Sequence, residues 1–149
     1  MNRAHAMMTL RKLVTLLTLC SGGLPAAHAA CTQADLRGNW YLNTFSVSAD
    51  DGLGYWARCK LVVNSAGAFG RTTSICRFDT GFIVGVSGRL SVKSSCIVAP
   101  ATITFFDGFG AALATTRINF AVVDRGKSVM NGVGDAGFLE PYTFVAVKP

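Results

Sequence analysis

From Trp40 to Val147 apolar and polar residues alternate with a period close to two, and clusters of Gly, Asn, Asp or Ser break the alternation roughly every 8 to 12 residues. Val, Ile, Phe and Thr are frequent, and no stretch keeps helical spacing for three turns. The pattern predicts eight strands: Trp40 to Ser48, Tyr55 to Asn64, Phe69 to Phe78, Phe82 to Lys93, Cys96 to Phe106, Leu113 to Asp124, Ser128 to Asp135 and Tyr142 to Lys148. Between them stand turn formers such as Ala49-Asp50-Asp51-Gly52, Asp79-Thr80-Gly81, Asp107-Gly108-Phe109-Gly110 and Arg125-Gly126-Lys127. Connections this short join neighbours antiparallel. Eight up-and-down strands with no crossover helix either leave two edges open or close on themselves, and closure removes the edges. The expectation is an all-β, eight-stranded antiparallel up-and-down β-barrel.

Alternation assigns an inward face to each strand: Trp40 and Leu42; Leu61 and Val63; Val84, Val86, Leu90 and Val92; Ile97, Ala99, Ala101, Ile103 and Phe105; Ile118, Phe120 and Val122; Phe144 and Ala146. Gly85 and Gly88 predict a bend in the fourth strand, and Pro100 asks for a bulge or an edge-like position in the fifth.

The first 29 residues do not share this pattern. They combine basic residues (Arg3, Arg11, Lys12), an apolar run from Leu13 to Leu19, a helix-breaking Gly22-Gly23-Leu24-Pro25 and the small-residue site Ala27-His28-Ala29, which is the order of an export leader. The expected mature chain is one domain, 30–149. Half of the +6 formal charge belongs to the leader, so the mature balance of +3 is not that of a nucleic-acid binder. Both histidines, His5 and His28, leave as well, and no later apolar run approaches the length of a transmembrane helix. A periplasmic or secreted protein is expected. Cys31 follows the cleavage region, but His28 stands where a lipid-modification site wants Leu, so lipid anchoring is not the expected fate.

Four cysteines remain in a chain bound for an oxidising compartment, which predicts two disulfides. Cys59 and Cys76 flank the second hairpin almost symmetrically about Gly67-Ala68 and should face each other. Cys31 precedes the upward first strand and Cys96 opens the upward fifth, so both lie at one end of the barrel. The predicted pairs are Cys59–Cys76 and Cys31–Cys96, each contributing roughly 3 to 4 kcal/mol in the chain-entropy account.

Leu36-Arg37-Gly38-Asn39-Trp40 opens the first strand. A Gly-x-Trp at this place in an eight-stranded meander resembles the lipocalins and the wider calycin superfamily of small β-barrels. The resemblance implies that Trp40 packs across the closed end of the barrel, with an Arg from a late strand covering it, for which Arg117 is the candidate. The chain departs from the pattern in two ways: no Thr-Asp-Tyr-like second motif and no helix after the last strand. The length is nearer to avidin-like barrels, without a biotin-site pattern. The likeness speaks to fold more than to function.

The chemistry is bounded by what the mature chain lacks. Without histidine there is no Ser-His-Asp or Cys-His nucleophile and no histidine zinc site, and bridged cysteines offer no thiolate. Carboxylates remain (Asp35, Asp50, Asp51, Asp79, Asp107, Asp124, Asp135 and Glu140), nearly all in predicted turns where Asp accepts backbone hydrogen bonds. No catalytic or metal-binding residue and no cofactor is expected. Asp50-Asp51-Gly52 reads as a turn before it reads as a calcium site, and the glycine-dense Asn131-Gly132-Val133-Gly134-Asp135-Ala136-Gly137 as a distorted strand rather than a phosphate loop. Tyr55, Trp56, Phe82 and Phe109 should gather at the open end of the barrel, where an aromatic ring of residues suits a small apolar ligand or a protein partner. Arg58, Lys60, Arg71, Arg77, Arg89, Lys93 and Arg117 fall mostly on outward phases, the pattern of a solvated face or of a strip for an anionic partner. The expectation is a non-enzymatic, exported binding barrel. The alternative is a filled-barrel inhibitor or structural interaction protein without a small-molecule ligand.

Overall fold

The structure, a computed structural model, describes residues 30–48, 52–136 and 139–149. The segment read as an export leader and the Asp50-Asp51 pair lie outside the described residues. A 3₁₀ turn (Gln33–Leu36) leads into β1 (Gly38–Val47), β2 (Gly54–Val63), β3 (Ala68–Phe69), β4 (Ile75–Phe78), β5 (Ile83–Arg89), β6 (Ile97–Val98), β7 (Ala101–Phe106), β8 (Ala112–Val123), β9 (Val129–Ala136) and β10 (Leu139–Val147). Antiparallel pairing runs β1-β2-β4-β5-β7-β8-β9-β10 and returns to β1, closing an eight-stranded barrel. The short β3 and β6 attach to β5 and β8. The two disulfides are Cys31–Cys96 and Cys59–Cys76, as the spacing predicts.

Two predicted strands are each split in two. The third is broken after Gly70, whose carbonyl accepts hydrogen bonds from the amides of Thr73 and Ser74. That turn lets Ser74 bury completely, with its Oγ accepting the Val62 amide at 2.9 Å. The fifth is broken at Ala99-Pro100, between β6 and β7, where proline can donate nothing to a ladder.

These interruptions reverse the expected facing of several residues. Val98, not Ile97, is fully buried, and the phase resets at Ala101. In β8 the register against β9 shifts between Ile118 and Phe120, a bulge at Asn119, whose side-chain amide donates to Asp135 Oδ2 at 2.7 Å. One extra residue turns every later side chain to the opposite face. Ala121 and Val123 are therefore buried, while Phe120 and Val122, expected inside, stand outside.

One end of the barrel is closed by the segment before β1. Trp40 is fully buried and its indole Nε1 donates to the Leu36 carbonyl at 2.7 Å, tying the strand to the equally buried last residue of the 3₁₀ turn. Gln33 donates to the Leu90 carbonyl at 2.8 Å and accepts the Val92 amide at 3.2 Å, and the Cys31–Cys96 bridge lies beside them. The cation over the Trp40 ring is Lys148, 5.2 Å from its centroid, and not Arg117, which is exposed on β8. The same Lys148 Nζ donates to the Asp35 carbonyl at 2.6 Å, while the Asp35 carboxylate pairs with Lys127 at 2.9 Å.

Candidate functional site

The inward faces of the strands enclose a cavity of about 340 Å³ that opens at the end opposite Trp40. The buried part of its wall is apolar apart from Thr116 and includes Leu42, Leu61, Val84, Ile103, Ile118 and Phe144. Around its waist stand Phe78 and Phe105, packed 5.8 Å apart with tilted rings, and Tyr142, whose ring lies 6.3 Å from that of Phe144. The Cys59–Cys76 bridge also faces the cavity and fixes β2 against β4 in its wall.

Three polar side chains of the wall are turned toward the backbone. Thr44 Oγ1 accepts the Ala57 amide at 3.1 Å and donates to the Ala57 carbonyl at 3.3 Å. Thr116 Oγ1 donates to the Asp135 carbonyl at 2.7 Å, and the Tyr142 hydroxyl donates to the Arg117 carbonyl at 3.3 Å. Burial pushes the Tyr142 phenol above its ordinary value of 10.0; a hydrogen bond with Thr116 opposes the shift and the Asp135 charge adds to it. Asp79 is the carboxylate at the rim. It accepts the Thr80 amide at 2.7 Å and the Trp56 amide at 3.4 Å, so it shapes its own turn. Asp107 and Asp124 act likewise in theirs: Asp107 takes the amides of Phe109 and Ala111, and Asp124 those of Gly126, Ser128 and Val129. Among the described residues no cluster of His, Cys, Asp or Glu could hold a metal ion. The site can enclose an apolar body.

The four aromatic residues expected at the mouth occupy different positions. Tyr55 and Phe82 lie on inward phases at the rim and line the cavity. Trp56 touches the rim, but alternation in β2 places it on the outward phase with Arg58 and Lys60, and the Arg58 guanidinium lies 5.1 Å from its ring centroid. Phe109 is at the same end of the barrel, at the tip of the β7–β8 turn, fully exposed and outside the cavity wall. The waist residues Phe78 and Tyr142 escape the sequence reading, although each simply continues an inward phase, from Cys76 and from Phe144 respectively.

The chain matches no protein-family profile and no curated protein. Among solved structures it is similar to one described as a redesigned beta barrel, mFAP1, bound to DFHBI, with a TM-score of 0.53 and 12% identity. The match covers 79% of this chain and 100% of that one. At this identity the likeness is one of fold.

Proposed function

We propose that this protein is an exported, non-enzymatic binding barrel that holds a small apolar ligand in its interior, entering past Tyr55 and Phe82. The observation that carries the reading is the cavity itself: about 340 Å³, open at one end, walled by apolar and aromatic side chains and closed at the other end by Trp40. A filled barrel has no such space. The volume lies at the small end of ligand pockets, suited to a two- or three-ring aromatic molecule or a short acyl chain. The similar redesigned barrel is described as bound to DFHBI, which supports small-molecule binding in this architecture. The leader pattern and the two disulfides support a periplasmic or secreted location. The Gly38-Asn39-Trp40 motif, with its Trp packed over a 3₁₀ turn at the closed end, supports kinship with the calycin barrels.

Titration with the neutral fluorophore N-phenylnaphthylamine tests the reading. Saturable enhancement at one probe per barrel is expected, and Ala114→Phe, which places a ring in the cavity wall near the rim, should abolish it without lowering the melting temperature. An absence of enhancement in the wild type, or full enhancement in Ala114→Phe, would overturn it.

A further inference from the structure

The outer wall of the barrel carries a surface that meets the cavity only at its rim, through Trp56. In β4, β2, β1 and β10 the outward positions fall into three ladders set by the register. Nearest the mouth, Trp56, Phe45 and Thr143 stand side by side; next come Arg77, Arg58, Asn43 and Val145; then Ile75, Lys60, Tyr41 and Val147. With strands spaced about 4.8 Å apart and about 6.8 Å between ladders, this is a face roughly 14 Å on a side at the backbone. Tyr41, Phe45, Trp56, Ile75, Val145 and Val147 are each between 40% and 54% exposed. Every charged side chain in the three ladders is basic. The nearest carboxylate along them, Asp79 beyond the end of β4, is tied to turn amides.

Two features of this face work against its being an ordinary solvated wall. Arg58 and Arg77 are directly opposed, and like charges in that position destabilise a sheet. The neighbouring Cys59–Cys76 bridge, with Cα atoms 4.0 Å apart, holds them in that register. Half-exposed aromatic rings interleave with these cations, and the Trp56 ring is itself covered by Arg58. Amphipathic rings beside Lys and Arg are the side chains that settle at the headgroup level of a bilayer, where cations meet lipid phosphates and rings reach the acyl boundary.

We propose that this wall, centred on β1 and β2, docks on an anionic lipid surface, with Arg58, Lys60 and Arg77 on the phosphates and Tyr41, Phe45 and Trp56 at the interface. The contact is peripheral: the barrel interior is apolar, the reverse of a transmembrane barrel with a polar lumen. It is independent of what the cavity holds.

Flotation with phosphatidylcholine vesicles, with and without phosphatidylglycerol, tests the proposal. Binding is expected only when phosphatidylglycerol is present and should weaken as salt is raised. Removing one cation (R58Q, K60Q or R77Q) should weaken it about fivefold, and removing all three roughly a hundredfold. The chain has two tryptophans. With brominated acyl chains, Trp56 should be quenched and the buried Trp40 should not, so W56F should abolish quenching without abolishing binding. The salt and quenching arms use wild-type protein and stand even where a variant folds poorly. Equal binding to neutral vesicles, unquenched Trp56 on bound protein, or saturable binding of inorganic pyrophosphate without vesicle binding would each overturn the proposal.

Discussion

Gly132 on β9 lies directly opposite Phe144 on β10, and a Cβ placed on Gly132 would come within 2.5 Å of the Phe144 ring and 2.7 Å of Ala121 Cβ. The glycine leaves the ring room to lie over its neighbour strand, and the ring covers backbone that a glycine leaves bare. Two residues along, Gly134 stands in the same relation to Tyr142. These glycines explain the density that resembles a phosphate loop in the sequence.

Gly132→Ala should therefore cost about 1 to 3 kcal/mol of stability through overpacking, although alanine has the better intrinsic strand propensity. Phe144→Ala should cost about 3 to 5 kcal/mol. In a double-mutant cycle read by urea denaturation the two should couple, with Gly132→Ala losing most of its effect once the ring is gone. Additive costs would show that the ring does not depend on the glycine.

Period-two alternation was enough to read the barrel, its strand count and its closure, and the placement of four cysteines was enough for both bridges. The failures are local. A bulge is one residue of slippage, and nothing in Ile118-Asn119-Phe120 marks Asn119 as the extra residue, so Phe120 and Val122 read as core when they face out. The facing of Trp56 is ambiguous for a related reason: it sits in a turn-proximal aromatic pair whose phase depends on where the strand begins, and it touches the cavity rim although its phase in β2 is outward. The cavity was not legible because its existence depends on how much of the interior Phe78, Phe105 and Tyr142 leave unfilled, a matter of packing rather than pattern.

Acid should loosen the closed end first. The hydrogen bond from Lys127, together with the Thr32 amide, lowers the Asp35 carboxyl from 3.8 to about 2. Asp124 is also lowered, chiefly by the Val129 amide. A carboxyl that titrates lower in the folded state stabilises above its unfolded value and loses that contribution as pH falls through its folded value. The melting temperature should hold down to about pH 4 and fall between about pH 4 and 2, and D35N should flatten the part due to Asp35. A profile in D35N identical to wild type would show that the Lys127 contact does not stabilise the fold.

Alkali should act through Tyr142. Its phenol is held above the ordinary value because burial penalises the phenolate, so the folded state favours the protonated form. That contribution is complete below the unfolded value near 10 and disappears as pH rises through the folded one. Tyr142→Phe should shift the midpoint of alkaline unfolding upward, followed by circular dichroism. In ultraviolet titration the component lost in Tyr142→Phe should ionise above the ordinary phenol value. A lost component that titrates at the ordinary value would place Tyr142 in water.

The two tryptophans should behave in opposite ways because they sit on opposite sides of the barrel wall. Trp40 is fully buried, bonds to the Leu36 carbonyl and lies under Lys148. Trp56 is 40% exposed on the outer phase. Trp40→Ala should cost about 3 to 5 kcal/mol. Trp40→Phe should still cost about 1 to 3 kcal/mol, since the ring is largely restored while the Leu36 carbonyl loses its donor. Trp56→Ala should stay within about 1 kcal/mol of wild type, the range of an exposed substitution. Equal destabilisation by Trp40→Ala and Trp56→Ala would mean that Trp56 packs as core, leaving it unable to serve either the rim of the cavity or the outer wall.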